Sequence, residues 1–211
     1  QARGGKGVAG LTTKEEDVVE HFFTTTTHSN ILFFTSRGRI YQLRGFDIPK
    51  GSRTSKGQAI VNFLELMPNE KISAALPLSD LGDYKFLVMV TKLGSIKKVD
   101  INSFDNVRRS GLIAIKLKNE DELKWVKPSS GKDEVTLVTT KGQSIRFKEK
   151  QVRPMGRGAA GVRAIRLRKD DYVVGMDVID EAMNALGQLL IVTLHGFGKR
   201  TGLKQYKVQS R

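Results

Sequence analysis

Cysteine is absent from the 211 residues, which excludes disulfides, zinc–thiolate sites and thiol catalysis and fits a reducing compartment. Histidine is nearly absent: His21, His28 and His195 have no spacing that would place two on one metal ion. No HExxH, GxSxG or GxxxxGK[ST] run occurs, so zinc-protease, serine-hydrolase and P-loop chemistry have no anchor. Aromatic residues make up only 7% of the chain and do not interleave the basic stretches, which disfavours base stacking on single strands. No apolar run approaches the roughly 20 residues that span a bilayer. No cationic stretch followed by an apolar one reads as a signal peptide. Acidic residues are also short: 36 Lys and Arg stand against 22 Asp and Glu, for a net charge of +14 and a pI near 10.0. Such an excess points to a polyanionic partner, nucleic acid first and an anionic membrane surface second. The first residue is Gln rather than Met, so the sequence is expected to be a piece of a longer protein.

What the chain has is repetition. Four segments share a T-x-x-G signal: ILFFTSRG at 31–38, FLVMVTKLG at 86–94, VTLVTTKG at 135–142 and LLIVTLHG at 189–196. Each apolar run has strand length, is rich in β-branched residues and ends in a glycine turn. A second strand-like segment follows, as RIYQLR at 39–44, IKKV at 96–99 and SIRFK at 144–148, so each pair reads as a β-hairpin; FGKRT at 197–201 is a less regular fourth copy. A glycine-punctuated loop and another strand come next, in SKGQAIV at 55–61, RSGLIAIKL at 109–117 and AGVRAIRL at 160–167. An acidic turn then leads to a further strand, DELKWV at 121–126 and DYVVGM at 171–176. Four strands in about 50 residues make one propeller-like blade. The expectation is therefore an all-β domain of about four four-stranded blades, at approximately 12–66, 67–118, 119–168 and 169–211. TKEE at 13–16 resembles a helix capping box. The repeat argues instead for a strand over 18–24, and DEAMNALG at 180–187 adds a helical turn.

Charge follows the repeat. Residues 31–58 carry six cations and one anion, 86–118 seven and two, 135–168 nine and one, and 189–211 five and none. The intervals between them are each net negative, and their acidic clusters, such as Asp121-Glu122 and Asp170-Asp171, read as solvated turn residues. Equivalent parts of blades lie at equivalent positions, so the cations are expected to form a basic rim that meets successive phosphates. The cations assigned to it are Arg37, Arg39, Arg44, Arg53, Lys56, Lys92, Lys97, Lys98, Arg108, Arg109, Lys141, Arg146, Lys148, Arg153, Arg157, Lys199 and Arg200. The competing explanation is that edge strands carry Lys and Arg to resist aggregation. Two G-x-G-x-x-G matches, at 5–10 and 156–161, lack the helix that a dinucleotide loop requires. With no recognition helix, contacts are expected to fall on the backbone of a duplex.

The opening heptapeptide QARGGKG fits all seven positions of the box Q-[RA]-R-G-G-K-G, and it resembles that signature of the C-terminal domain of DNA gyrase A. The resemblance extends through the T-x-x-G hairpins, LPLSDL at 76–81, GRGAAGV at 156–162 and GKRT at 198–201, and so covers essentially the whole sequence. It implies a β-pinwheel, usually of six blades, in which neighbours exchange strands. It also implies chiral wrapping of duplex DNA that presents a segment for ATP-driven strand passage and negative supercoiling. Gln1, Arg3, Gly4, Gly5, Lys6 and Gly7 would be the box contacts, with Arg3 and Lys6 meeting phosphates. No cofactor is implied for this region, since ATP and magnesium act elsewhere in the holoenzyme. None of Tyr41, Tyr84, Tyr172 and Tyr206 would be the catalytic tyrosine. The implied partners are double-stranded DNA, the N-terminal breakage–reunion region of gyrase A, and gyrase B, with no membrane. The implied setting is the bacterial cytoplasm at the nucleoid. The related domain of topoisomerase IV, whose box is degenerate or absent, and a propeller-like protein-interaction scaffold are the alternatives.

Overall fold

The computed structural model describes residues 19–52, 55–118 and 120–211. Its strands, in chain order, are β1 (Asn30–Thr35), β2 (Arg39–Arg44), β3 (Ile72–Pro77), β4 (Phe86–Thr91), β5 (Ser95–Asp100), β6 (Leu112–Ile113) and β7 (Leu123–Ser129). They continue as β8 (Glu134–Thr139), β9 (Ser144–Lys148), β10 (Val162–Arg163), β11 (Val173–Ile179), β12 (Gln188–Val192) and β13 (Gly198–Gly202). The helical turn expected near 180–187 is α1 (Glu181–Leu186), capped by Asp180, whose Oδ1 accepts from the Met183 N–H at 2.7 Å.

The T-x-x-G signal builds four antiparallel hairpins, β1–β2, β4–β5, β8–β9 and β12–β13. In each, the glycine N–H donates to the threonine carbonyl. In the first three, the threonine hydroxyl also accepts from the N–H four residues on, at 3.0–3.2 Å. The glycine must take a left-handed conformation, and φ is +73° at Gly38 and +79° at Gly94. A side chain is excluded at Gly38 for a second reason: a Cβ there would lie 2.5 Å from the Ile115 carbonyl oxygen of the next unit.

The sheets are not contiguous stretches of chain. The strand orders are β3-β1-β2-β6, β10-β5-β4-β7, β11-β8-β9 and β12-β13. Each of the first two hairpins is flanked by one strand from the acidic turn that follows it and one from a glycine loop further downstream. Neighbouring units therefore exchange strands, and the boundaries read from the sequence follow the repeat rather than the sheets. The four hairpins carry sheets of four, four, three and two strands.

This wiring corrects two expectations. Residues 19–26 contain no strand, and 60–62 form a 3₁₀ turn (Ile60–Asn62) instead of a strand after the first glycine loop. In later units, the equivalent segments pair with the hairpin that precedes them. Among the described residues, no hairpin precedes these two. Ile60 and Phe63 pack instead beside Leu64 on Ile31, Phe33 and Tyr41.

The core lies between the sheets. Leu87 and Met89 of β4 pack with Leu32, Phe34 and Ile40 of the first sheet. Val88 and Val90 pack with Val135, Leu137 and Phe147 of the third. Alternate side chains of one strand point to opposite faces, so a continuous apolar run is what a sheet covered on both faces requires.

Candidate nucleic-acid interface

The rim residues divide by environment. Arg37, Arg44, Lys56, Arg108, Arg109, Lys141, Lys148, Arg153, Arg157, Lys199 and Arg200 are exposed. Arg39 and Lys92 are half-buried. The Arg39 guanidinium donates to the Tyr41 hydroxyl at 3.1 Å and to the Ser110 carbonyl at 2.5 Å. Lys92 lies 3.9 Å from Glu122 and 5.5 Å from the centre of the Tyr172 ring. Arg53 and the box residues Gln1, Arg3, Gly4, Gly5, Lys6 and Gly7 lie outside the described residues.

Three predicted rim cations are not on the surface. Lys97 is fully buried, and its ammonium donates to the carbonyls of Ala114, Ala159 and Arg157. Burial lowers its pKa to about 8. Lys98 is buried at 3.4 Å from Glu149 and lies over the Phe86 ring. Burial pushes the Glu149 carboxyl up, while the neighbouring Ser129 side chain and the Lys98 ammonium act against the rise. Arg146 is buried against Glu134 at 2.7 Å and donates to the Leu203 carbonyl at 2.6 Å and to Asn184 Oδ1 at 2.5 Å. The corrected roles share a cause. Each of these three side chains reaches a backbone carbonyl of a following unit, so an inter-unit strut stands where a phosphate contact was expected.

The acidic turns also differ from the solvated clusters read from the sequence. Asp121 accepts from the Leu93 N–H at 2.9 Å, and Asp171 from the Lys141 N–H at 3.0 Å. Glu70 accepts from the Thr35 hydroxyl. All three acids are buried and tie a hairpin turn to the strand that flanks it. Burial pushes the Asp171 carboxyl up, but hydrogen bonds from the Thr140 hydroxyl and the N–H groups of Lys141 and Tyr172, with the Thr139 side chain nearby, outweigh it and hold the pKa below its usual value.

Among the exposed cations that the sequence reading did not single out, Lys116, Lys118, Arg163, Arg166 and Arg168 recur on matching segments of two units. Their segments dock on the preceding hairpin through Ala114 N–H to Gly38 O and Ala164 N–H to Gly94 O, both 2.8 Å. Ala114, Ile115, Ala164 and Ile165 are buried by that docking and the cations alongside them are exposed. The signal was the parallel between IAIKLK at 113–118 and RAIRLR at 163–168.

The chain is a strand-exchanged, propeller-type β domain with exposed arginine and lysine recurring on successive units. The family described as the DNA gyrase C-terminal domain, beta-propeller, matches residues 1–26, 29–79, 85–130, 133–180 and 187–211, and the chain belongs to that family. The DNA gyrase A protein of Staphylococcus aureus strain NCTC 8325 is 42% identical over 212 residues, which is all of this chain and 24% of that protein. The chain thus spans about a quarter of the length of the curated relatives it matches. Among solved structures, the C-terminal domain of DNA topoisomerase IV superposes with a TM-score of 0.78 at 28% identity, covering 88% of this chain and 57% of that one. The DNA gyrase A C-terminal domain gives 0.72 at 22% identity, covering 97% and 68%. The latter is a likeness of fold. Among the described residues, no helix is long and apolar enough to cross a membrane.

Proposed function

We propose that this chain binds duplex DNA on its exposed cations without sequence preference, and wraps it as part of a DNA gyrase. The reading is carried by one observation: exposed cations recur on corresponding segments of successive units. Arg108, Arg109, Lys116 and Lys118 stand in one, and Arg157, Arg163, Arg166 and Arg168 in the next. Bending a 20–30 bp site costs on the order of 1–6 kcal/mol, so several phosphate contacts per unit are needed to offset it. Each contact that displaces a condensed counterion steepens the salt dependence of affinity by about 0.9. Arg3 and Lys6 would add contacts at the box.

The chain would not be an enzyme by itself. Strand breakage, ATP and magnesium would belong to the N-terminal region of gyrase A and to gyrase B, and the DNA segment held here would be the one passed. Ligation of nicked circles with saturating protein tests the reading, with a directional change in linking number expected. Binding without any such change would remove wrapping and favour the bending role, to which the likeness to the topoisomerase IV domain lends weight. Duplex affinity indifferent to salt would remove the phosphate-contact reading itself.

A further inference from the structure

Lys97 is a buried ammonium with no carboxylate among its hydrogen-bond partners. Its three acceptors are backbone carbonyls: Ala114 at 2.8 Å, Ala159 at 3.0 Å, and Arg157. An ammonium has three N–H donors and no acceptor, so these carbonyls satisfy it completely. Two of them belong to the glycine-rich loop at 156–161, which comes from the following unit and carries the exposed Arg157. The third belongs to the segment that docks on the first hairpin. Ala159 O also accepts from the Lys116 N–H at 3.1 Å, and the Met155 N–H donates to Lys98 O at 2.8 Å. The loop is thus seated on β5, with Lys97 at the junction of three segments.

Burying a charge is costly, and a methionine of similar volume would pack there without that cost. What the lysine adds is a donor to the Ala114 and Arg157 carbonyls and a second donor to that of Ala159, which fixes the three in position. The preceding sheet has the same division of labour. Arg39 donates to the Ser110 carbonyl, in the loop that carries Arg108 and Arg109. Tyr41, which occupies the register position of Lys97 in β2, lies directly under Gly111.

We propose that Lys97 is a positioning residue for DNA binding, fixing the backbone of loop 156–161 so that Arg157 is held outward to meet the duplex. This rests on the reading of the exposed cations as DNA contacts. The neutral amine of Lys97 keeps only two N–H donors, so deprotonation releases one of the three carbonyls. The ionisable side chains on the segments packed around it are Lys98, Lys116, Arg157 and Arg163.

The test is the affinity of the whole chain for a labelled linear duplex of mixed sequence, across a salt series and from neutral to about pH 9.5, a range that spans the pKa of about 8. Lys97→Met should weaken binding about threefold to tenfold and shallow the salt slope by about one, as Arg157→Ala does. The double variant should be no weaker than Arg157→Ala alone, because both changes act on one contact. Wild-type affinity should fall across the alkaline range more steeply than that of Lys97→Met. If Lys97→Met binds like wild type while Arg157→Ala is weakened, the positioning role is overturned and the DNA reading stands. Additive losses in the double variant, or an Arg157→Ala variant that binds normally, overturn the proposal as well. The DNA reading falls only if neutralising Arg108 and Arg109 together also leaves affinity unchanged. Should Lys97→Met fail to fold, the wild-type pH profile decides, and a flat profile overturns the proposal.

Discussion

The second and fourth hairpins share a motif and a register but not a fate. Val90 of β4 and Val192 of β12 each precede the turn threonine, yet Val90 is 0% exposed and Val192 is 61% exposed. Lys98 and Arg146 sit at the register position that Arg200 occupies in β13. The first two are buried struts and Arg200 is exposed. The difference lies in what flanks each hairpin. β4–β5 is enclosed by β7 and β10, strands supplied from downstream, whereas β12–β13 has no third strand among the described residues. Whether a lysine or arginine in this repeat becomes a strut or a surface charge is decided by the next unit. Its own neighbours in sequence do not decide it.

The largest effect that would break this comparison comes from its cations. Arg146→Ala leaves Glu134 buried without its partner and removes one of the two donors to the Leu203 carbonyl, and is expected to cost about 3–5 kcal/mol. Arg200→Ala should fall within about 0.5 kcal/mol of wild type in stability while weakening duplex binding. Urea unfolding and duplex titration of the two variants measure both quantities. Equal stability losses would mean that the position, and not its surroundings, sets the role. The valines make a smaller version of the same contrast. Val90→Ala should cost about 2 kcal/mol through lost burial and a cavity, and Val192→Ala less than about 0.5 kcal/mol. Matching urea midpoints for the two would show that the fourth hairpin is covered in solution.

The hairpins, the glycine turns and the helical turn were legible because their signals are local: a period of two, a glycine that must take positive φ, and an Asp before a short helix. Which cations are exposed was half legible for the same reason. Window counts locate where cations accumulate in the chain, and Arg108, Arg109, Arg153 and Arg157 are indeed exposed. Counting cannot tell Lys97 from Arg157, because one lies under the other's loop and the contact joins residues 60 apart. Strand exchange was not derivable from periodicity either. A two-residue strand such as β6 has no pattern of its own and exists only through its pairing with Arg39 and Ile40. The segments at 18–24 and 55–61 failed in the opposite way: their local pattern matches later strands, but among the described residues no hairpin precedes them.

The smallest expected effect concerns the turns. Asp171 ties the third hairpin's turn down through the Thr140 hydroxyl at 2.7 Å and the Lys141 N–H at 3.0 Å. No acid among the described residues does this for the fourth, where Leu194 is 96% exposed. The folded pKa of Asp171 is depressed, so its contribution to stability is present above the unfolded value of about 3.9 and is lost as pH falls through the lower folded value. Asp171→Asn should therefore lower stability at neutral pH and flatten the acid limb of the stability profile. Hydrogen exchange at the Lys141 amide should accelerate in the variant, because that N–H loses a charged acceptor. The Gly196 amide, in a turn that lacks such an acid, should exchange at the same rate in both proteins. Acid limbs that run parallel in wild type and variant would show that the threonine and glycine hold the turn without the acid, and the third and fourth turns would then differ only in burial.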